Sequence, residues 1–156
     1  MRISICAVGR LRAGPERTLL DDYLTRFERT GRAIGLGPVS LHEVEDRKGG
    51  GKAAEAVLLE RALPKAAHIV ALDERGTHLG SPEFAKHLAG WRDQGQGDLA
   101  FIIGGADGLT PELRACADFK LSFGKMVWPH MLVRVMLSEQ LYRAVTILVG
   151  GPYHRV

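Results

Sequence analysis

Apolar residues group along the chain in two alternating patterns. Ile3, Ile5 and Cys6-Ala7-Val8 make a strand-like run over Arg2–Gly9, with Gly9 as its stop. Gly14-Pro15 then opens a helix, because proline is tolerated in a first turn. Leu19, Leu20, Tyr23, Leu24 and Phe27 recur at spacings of three and four, which predicts an amphipathic helix ending near Gly31. Val39–Val44 predicts a second strand and Ala53–Leu63 a helix closed by Pro64. His68–Leu72 and Leu99–Ile103 are short continuous apolar runs, the mark of strands buried on both faces. Ser81-Pro82-Glu83 predicts a capped helix through Trp91, and Thr110-Pro111-Glu112 a short one. Phe119–Phe123 reads as a last strand, and Met131–Leu148 as a long, mostly apolar helix packed against the rest. Strands alternating with helices predict an α/β fold with a mostly parallel sheet flanked by helices.

The chain has 156 residues, 46% of them hydrophobic and 25% charged, so one domain over 1–156 with a sizeable core is expected and global disorder is excluded. No apolar run approaches the roughly 18 residues of a membrane span, and the first strand is too short and too soon followed by arginine for a secretory signal. Cys6 and Cys116 form no disulfide framework and are expected as buried thiols in a reducing cytoplasm. The net charge of +3 permits a phosphate-rich partner without requiring one. Both chain ends are richer in cations than in acids. Residues 1–32 include Arg10, Arg12 and Arg17, and the last thirty residues hold Arg134, Arg143 and Arg155 against the single acid Glu139.

Several familiar chemistries fail. The glycine loop Asp46–Lys52 departs from the phosphate-binding P-loop at two positions: Asp46 stands where the first glycine belongs, and Ala53 follows Lys52 where Ser or Thr is needed. No G-x-G-x-x-G follows the first strand, no G-x-S-x-G is present, and the six histidines have no metal-ligand spacing.

Three segments carry the remaining signal, each at the carboxyl end of an expected strand, where open α/β sheets bind ligands. They are Leu72-Asp73-Glu74-Arg75-Gly76, Gly104-Gly105-Ala106-Asp107-Gly108 and Gly124-Lys125-Met126-Val127-Trp128-Pro129-His130. Glycines bare the backbone to a flat ligand, although a tight turn alone also explains them. The bulky apolar stretch before His130 suits either a buried crossover or a pocket wall for an aromatic group such as adenine. The tail offers a phenol, an imidazole and a guanidinium in sequence, Tyr153-His154-Arg155.

Taken together, Ile103–Leu109, Trp128-Pro129-His130-x-Leu132-x-Arg134, Glu139–Ala144 and Pro152-Tyr153-His154-Arg155 closely resemble the bacterial ribosomal RNA large-subunit methyltransferase H family, the pseudouridine-N3 methyltransferases of the SPOUT superfamily. Val8-Gly9-Arg10 and Leu72–Gly76 also fit, so the resemblance spans nearly the whole chain. It implies a SPOUT-type sheet with a C-terminal trefoil knot, a homodimer with active sites at the subunit interface, and S-adenosylmethionine as methyl donor. The implied donor site is Leu72, Gly104, Gly105, Gly124, Lys125, Met126, Val127, Trp128 and Pro129. The implied substrate is a pseudouridine of large-subunit ribosomal RNA within assembled ribosomes, with neither a metal nor a membrane involved. The family commonly has Thr-Leu-Pro-His before the long helix; Val127-Trp128-Pro129-His130 lacks that threonine hydroxyl. Contacts through the hydroxyl are lost, whereas backbone contacts survive.

Methyl transfer to N3 requires the acceptor to be held near attack distance and its imide proton to be removed or its anion stabilised. His154 and His130 are candidate bases. Arg134, Arg143 and Arg155 are candidate anion stabilisers or phosphate anchors, and Tyr153 can stack on the base or donate to a carbonyl oxygen. The tail is expected to reach the partner's donor pocket. Glu139 and Arg143, four residues apart, are expected to pair along the helix. Competing readings are a knotted methyltransferase acting on transfer RNA, a non-catalytic ribosome-binding factor, and a plain nucleotide-binding α/β protein.

Overall fold

A computed structural model describes residues 1–154. Its strands are β1 (Arg2–Val8), β2 (Val39–Val44), β3 (His68–His78), β4 (Asp98–Ile103) and β5 (Phe119–Ser122). They pair in parallel in the order β2-β1-β4-β3-β5. The helices are α1 (Pro15–Gly31), α2 (Gly51–Ala62), α3 (Ser81–Asp93), α4 (Pro111–Ala115) and α5 (His130–Val149).

The alternation of side chains along a strand divides the core into two layers. Ile3, Ile5 and Ala7 of β1 face one side, with Phe101 and Ile103 of β4, and pack on Phe27 of α1, Phe84 and Leu88 of α3, and Leu137 and Leu141 of α5. Cys6 and Val8 face the other side with Ile102, against Ala56 and Leu59 of α2 and Leu113 of α4. Both faces of the sheet are covered, which is why its central strands read as continuous apolar runs. Burial pushes the Cys6 thiol up to about 11, so it is a packing group rather than a nucleophile.

The structure corrects the sequence reading at three places. Cys116 is exposed, not buried, because α4 is a single five-residue turn that buries only Leu113. Gly80, not Ser81, is the cap of α3, and the Glu83 carboxylate accepts the Gly80 N–H at 2.7 Å. Most consequentially, β3 does not stop at Leu72. It bulges over Asp73–Gly76 and pairs with β5 again at Thr77 and His78, so Leu72 and Thr77 both face Leu121. Gly76 allows this approach: a Cβ there would lie 2.7 Å from the Lys120 backbone. Among the described residues no helix is long and apolar enough to cross a membrane.

Candidate active site

Parallel strands release all their following loops at one rim, and three of those loops meet around a single cleft of about 490 Å³. The β3 bulge contributes Leu72–Arg75, the turn after β4 contributes Gly104–Gly108, and the segment after β5 contributes Phe123, Gly124 and Met126–Trp128. Of the residues expected at the donor site, Leu72, Gly104, Gly105, Gly124, Met126, Val127 and Trp128 line this cleft. Lys125 and Pro129 share the third segment but do not line it, and Lys125 points into solvent.

The glycine turn is a miniature hairpin. Gly105 bridges Gly108, whose N–H donates to the Gly105 carbonyl at 3.0 Å. Gly108 needs its φ of +75°, and a Cβ on Gly104 would strike the Gly108 carbonyl carbon at 2.5 Å. The demands of a tight turn therefore account for these two glycines, and the bared backbone beside the cleft follows from them. Behind the turn, a Cβ on Gly105 would meet Glu55 at 3.0 Å. Burial, then the neighbouring carboxylates of Asp107 and Asp46, raises the Glu55 carboxyl.

The opposite wall is apolar and open. Met126 is 72% exposed, Val127 84% and Trp128 38%. Three consecutive large apolar residues left open at a cleft are not packing a crossover of their own chain. They offer a flat, water-poor surface to a ligand or to another chain. Sequence reasoning missed Lys52 and Arg114, which also line the cleft; Arg114 pairs with Asp73 at 3.3 Å. Lys52 carried a signal in the glycine loop examined for phosphate binding, but that loop's standard pattern fails.

His130 lines the cleft from the first turn of α5. Its ring lies over the β1–α1 turn, with Nε2 3.5 Å from where a Gly9 Cβ would sit. Partial burial, reinforced by the Arg134 charge, depresses its proton affinity below that of an ordinary histidine.

Arg134 does not reach the cleft as an anion stabiliser. It is fully buried and donates to the Val8 carbonyl at 2.9 Å, the Gly9 carbonyl at 2.8 Å and Glu43 at 2.8 Å. Glu43 also accepts from the Leu11 N–H and from Arg17. The group that sequence reasoning offered for catalysis is thus a clamp between α5 and the β1–α1 loop.

The tail lies elsewhere on its own chain. The Tyr153 hydroxyl donates to Glu139 at 3.0 Å, its ring centroid is 4.6 Å from that of Tyr142, and the Arg143 guanidinium sits 5.0 Å from its ring centroid. Arg143 donates to the same Glu139 oxygen at 2.6 Å, the expected pairing along the helix, which raises the Arg143 guanidinium. Burial, then hydrogen bonding with Tyr23 and Glu139, keeps the Tyr153 phenol protonated well above the usual tyrosine range. Nδ1 of His154 is buried and has no partner among the described residues. Arg155 lies outside the described residues. Within one chain, therefore, the structure brings the three rim segments and His130 together, and leaves Arg143, Tyr153 and His154 off the cleft lining.

A family model described as "Predicted SPOUT methyltransferase" matches residues 1–154. The chain belongs to the SPOUT methyltransferase family. Among its relatives within the family, a protein of Ruegeria sp. strain TM1040 named ribosomal RNA large subunit methyltransferase H is 69% identical over 156 residues, covering 100% of both chains. A Roseobacter denitrificans protein of the same name is 70% identical over 155 residues, 99% of each. The crystal structure of a probable methyltransferase from Bordetella pertussis Tohama I, 19% identical, matches with a TM-score of 0.52 over 92% of this chain and 96% of that one, a likeness of fold.

Proposed function

We propose that this SPOUT protein methylates N3 of a pseudouridine in large-subunit ribosomal RNA, with S-adenosylmethionine as donor, on assembled ribosomes in the cytoplasm. The observation that carries the reading is the single cleft made by Leu72–Arg75, Gly104–Gly108 and Met126–Trp128, in a chain 69% identical along its whole length to proteins bearing that name.

The cleft fits the donor. The open wall of Val127 and Trp128 suits adenine, and the bared backbone of Gly104 and Gly105 can bond the edges of a nucleoside. When bound, S-adenosylmethionine supplies an electrophilic methyl on a sulfonium. Leu72, Gly105 and the Gly124–Pro129 segment would hold it. Since Val127-Trp128 replaces the family's Thr-Leu, the contacts there run through the backbone and the indole. His130, kept neutral by its surroundings, can accept the imide proton of the acceptor base, and the apolar wall excludes water from the reacting centre.

The reading includes a homodimer, the knotted threading of the C-terminal segment, and one domain over 1–156. Tyr153, His154 and Arg155 of one copy complete the cleft of the other, where Tyr153 stacks on or donates to the target base and Arg143 and Arg155 face its charge or its phosphate. Its support is that, among the described residues, Tyr153 and His154 do not line the cleft of their own chain, together with the exposed apolar side chains of Met126, Val127 and Leu132.

The test is transfer of labelled methyl to intact ribosomes, free large subunits and stripped RNA, followed by mass spectrometry of the nucleosides. The expected product is N3-methylpseudouridine from ribosomes. Label appearing on transfer RNA, or no label with donor bound, overturns the proposal.

A further inference from the structure

Beside the cleft, the β1–α1 and β2–α2 loops leave the sheet together. Val8 pairs with Val44, and the Gly9 N–H donates to the Val44 carbonyl at 2.8 Å. The first loop carries Arg10 and Arg12 with no acid between Gly9 and Gly14; the second carries Arg47 and Lys48, and Lys52 follows in the first turn of α2. All five side chains are exposed, and among the described residues none pairs with a carboxylate. Of the nearest acids, the Asp46 carboxylate is occupied by the N–H groups of Lys48 and Gly50, which leaves Glu45 as the exposed acid of the pair. Lys52 lines the cleft itself, so the cationic loops adjoin the site.

The first loop is fastened as well as charged. Arg134 grips the carbonyls of Val8 and Gly9, and Glu43 holds both Arg134 and the Leu11 N–H. A buried ion pair is a poor stability device compared with apolar packing of the same volume. Its effect here is positional: it fixes Arg10 and Arg12 relative to the start of α5, and so to His130.

We infer that this arc of Arg10, Arg12, Arg47, Lys48 and Lys52 is the surface that grips the phosphate backbone of the substrate RNA and sets its register on the cleft. The inference rests on the reading of the chain as a ribosomal RNA methyltransferase and adds the place where the RNA lies. Exposed, unpaired cations beside the site recognise backbone charge rather than base identity, so the arc supplies affinity and alignment, while selection of the target base stays in the cleft.

The experiment compares two fourfold variants of equal charge change. The rim variant is Arg10→Gln, Arg12→Gln, Arg47→Gln, Lys48→Gln. The control is Arg29→Gln, Arg32→Gln, Arg61→Gln, Lys65→Gln, which removes exposed cations around the ends of α1 and α2, at the opposite rim of the sheet. With intact ribosomes as probe, the rim variant should raise KM about tenfold or more, with kcat within about twofold. Its log–log salt slope of ribosome binding should be shallower by about 3–4, somewhat under one for each of the four lost phosphate contacts. Donor affinity by calorimetry should be unchanged, and the control should match wild type. Equal losses in both variants, or no loss in the rim variant, overturn the inference. Should wild type transfer no methyl to ribosomal RNA, the enzymatic reading fails separately, and the salt slopes still decide whether the arc binds RNA.

Discussion

At the residue scale, Arg134 and His130 put a buried clamp and the proposed base on neighbouring turns of one helix. The Arg134 guanidinium is enclosed with Glu43, so cutting it back strips a half-buried carboxylate of its closest cation, leaving it Arg17 and the Leu11 N–H, and takes a charged donor from two carbonyls. Arg134→Met should lower unfolding free energy by about 3–5 kcal/mol, read by urea denaturation. Arg134→Lys should recover only part of this, because an ammonium cannot span the same fork. His130 binds its proton less readily in the fold than in the unfolded chain, from burial first and Arg134 second. Stability is therefore favoured above the ordinary histidine range and falls as pH drops through it, because the unfolded chain takes up the proton first. The acid limb of kcat/KM should lie below about pH 6.5, and His130→Asn should abolish that limb. A limb above pH 7 would assign the proton transfer to another group.

Part of this was legible in the sequence and part was not. Arg134 shares its helix stripe with Leu137, Leu141 and Ala144, all buried, and that spacing was the available signal for an inward-facing cation. Its partner Glu43, ninety-one positions earlier, was not available, because no local pattern links them.

At the element scale, the strands with continuous apolar runs were legible because both faces of the sheet are covered. The second half of β3 was not. Asp73–His78 is polar and glycine-containing, and it is held as a strand by backbone pairing to β5, which side-chain patterning does not report. That bulge turns Leu72–Arg75 into a wall of the cleft, the kind of re-aiming bulges commonly provide next to active sites. The same scale governs the segment after β5. Val127 and Trp128 replace the family's Thr-Leu, and the indole brings an aromatic surface to the cleft. Trp128→Ala should weaken S-adenosylmethionine binding about tenfold by calorimetry, the worth of one base–aromatic stack, while thermal stability changes little. Gly104→Ala should do the reverse of a surface change. Its methyl would press on the Gly108 backbone, costing about 1–3 kcal/mol of stability together with donor affinity.

At the scale of the whole molecule, the arrangement is asymmetric within one chain. The donor-type cleft and His130 sit at one rim, while Tyr153 rests on Glu139 and Tyr142 of its own α5. The sequence placed the tail's chemistry by resemblance, and nothing local could show which cleft it serves. Ala106 is exposed and lines the cleft, so Ala106→Trp fills the donor space at little cost to folding. Deletion of Tyr153–Val156 removes the tail and leaves the cleft intact. The most direct measurement is methyl transfer to ribosomes by the two variants apart and then co-refolded. The account predicts that each alone is inactive and that the mixture regains activity, because mixed dimers hold one open cleft closed by one intact tail. A mixture as inactive as its parents, or a truncated protein working at the full rate, would contradict it.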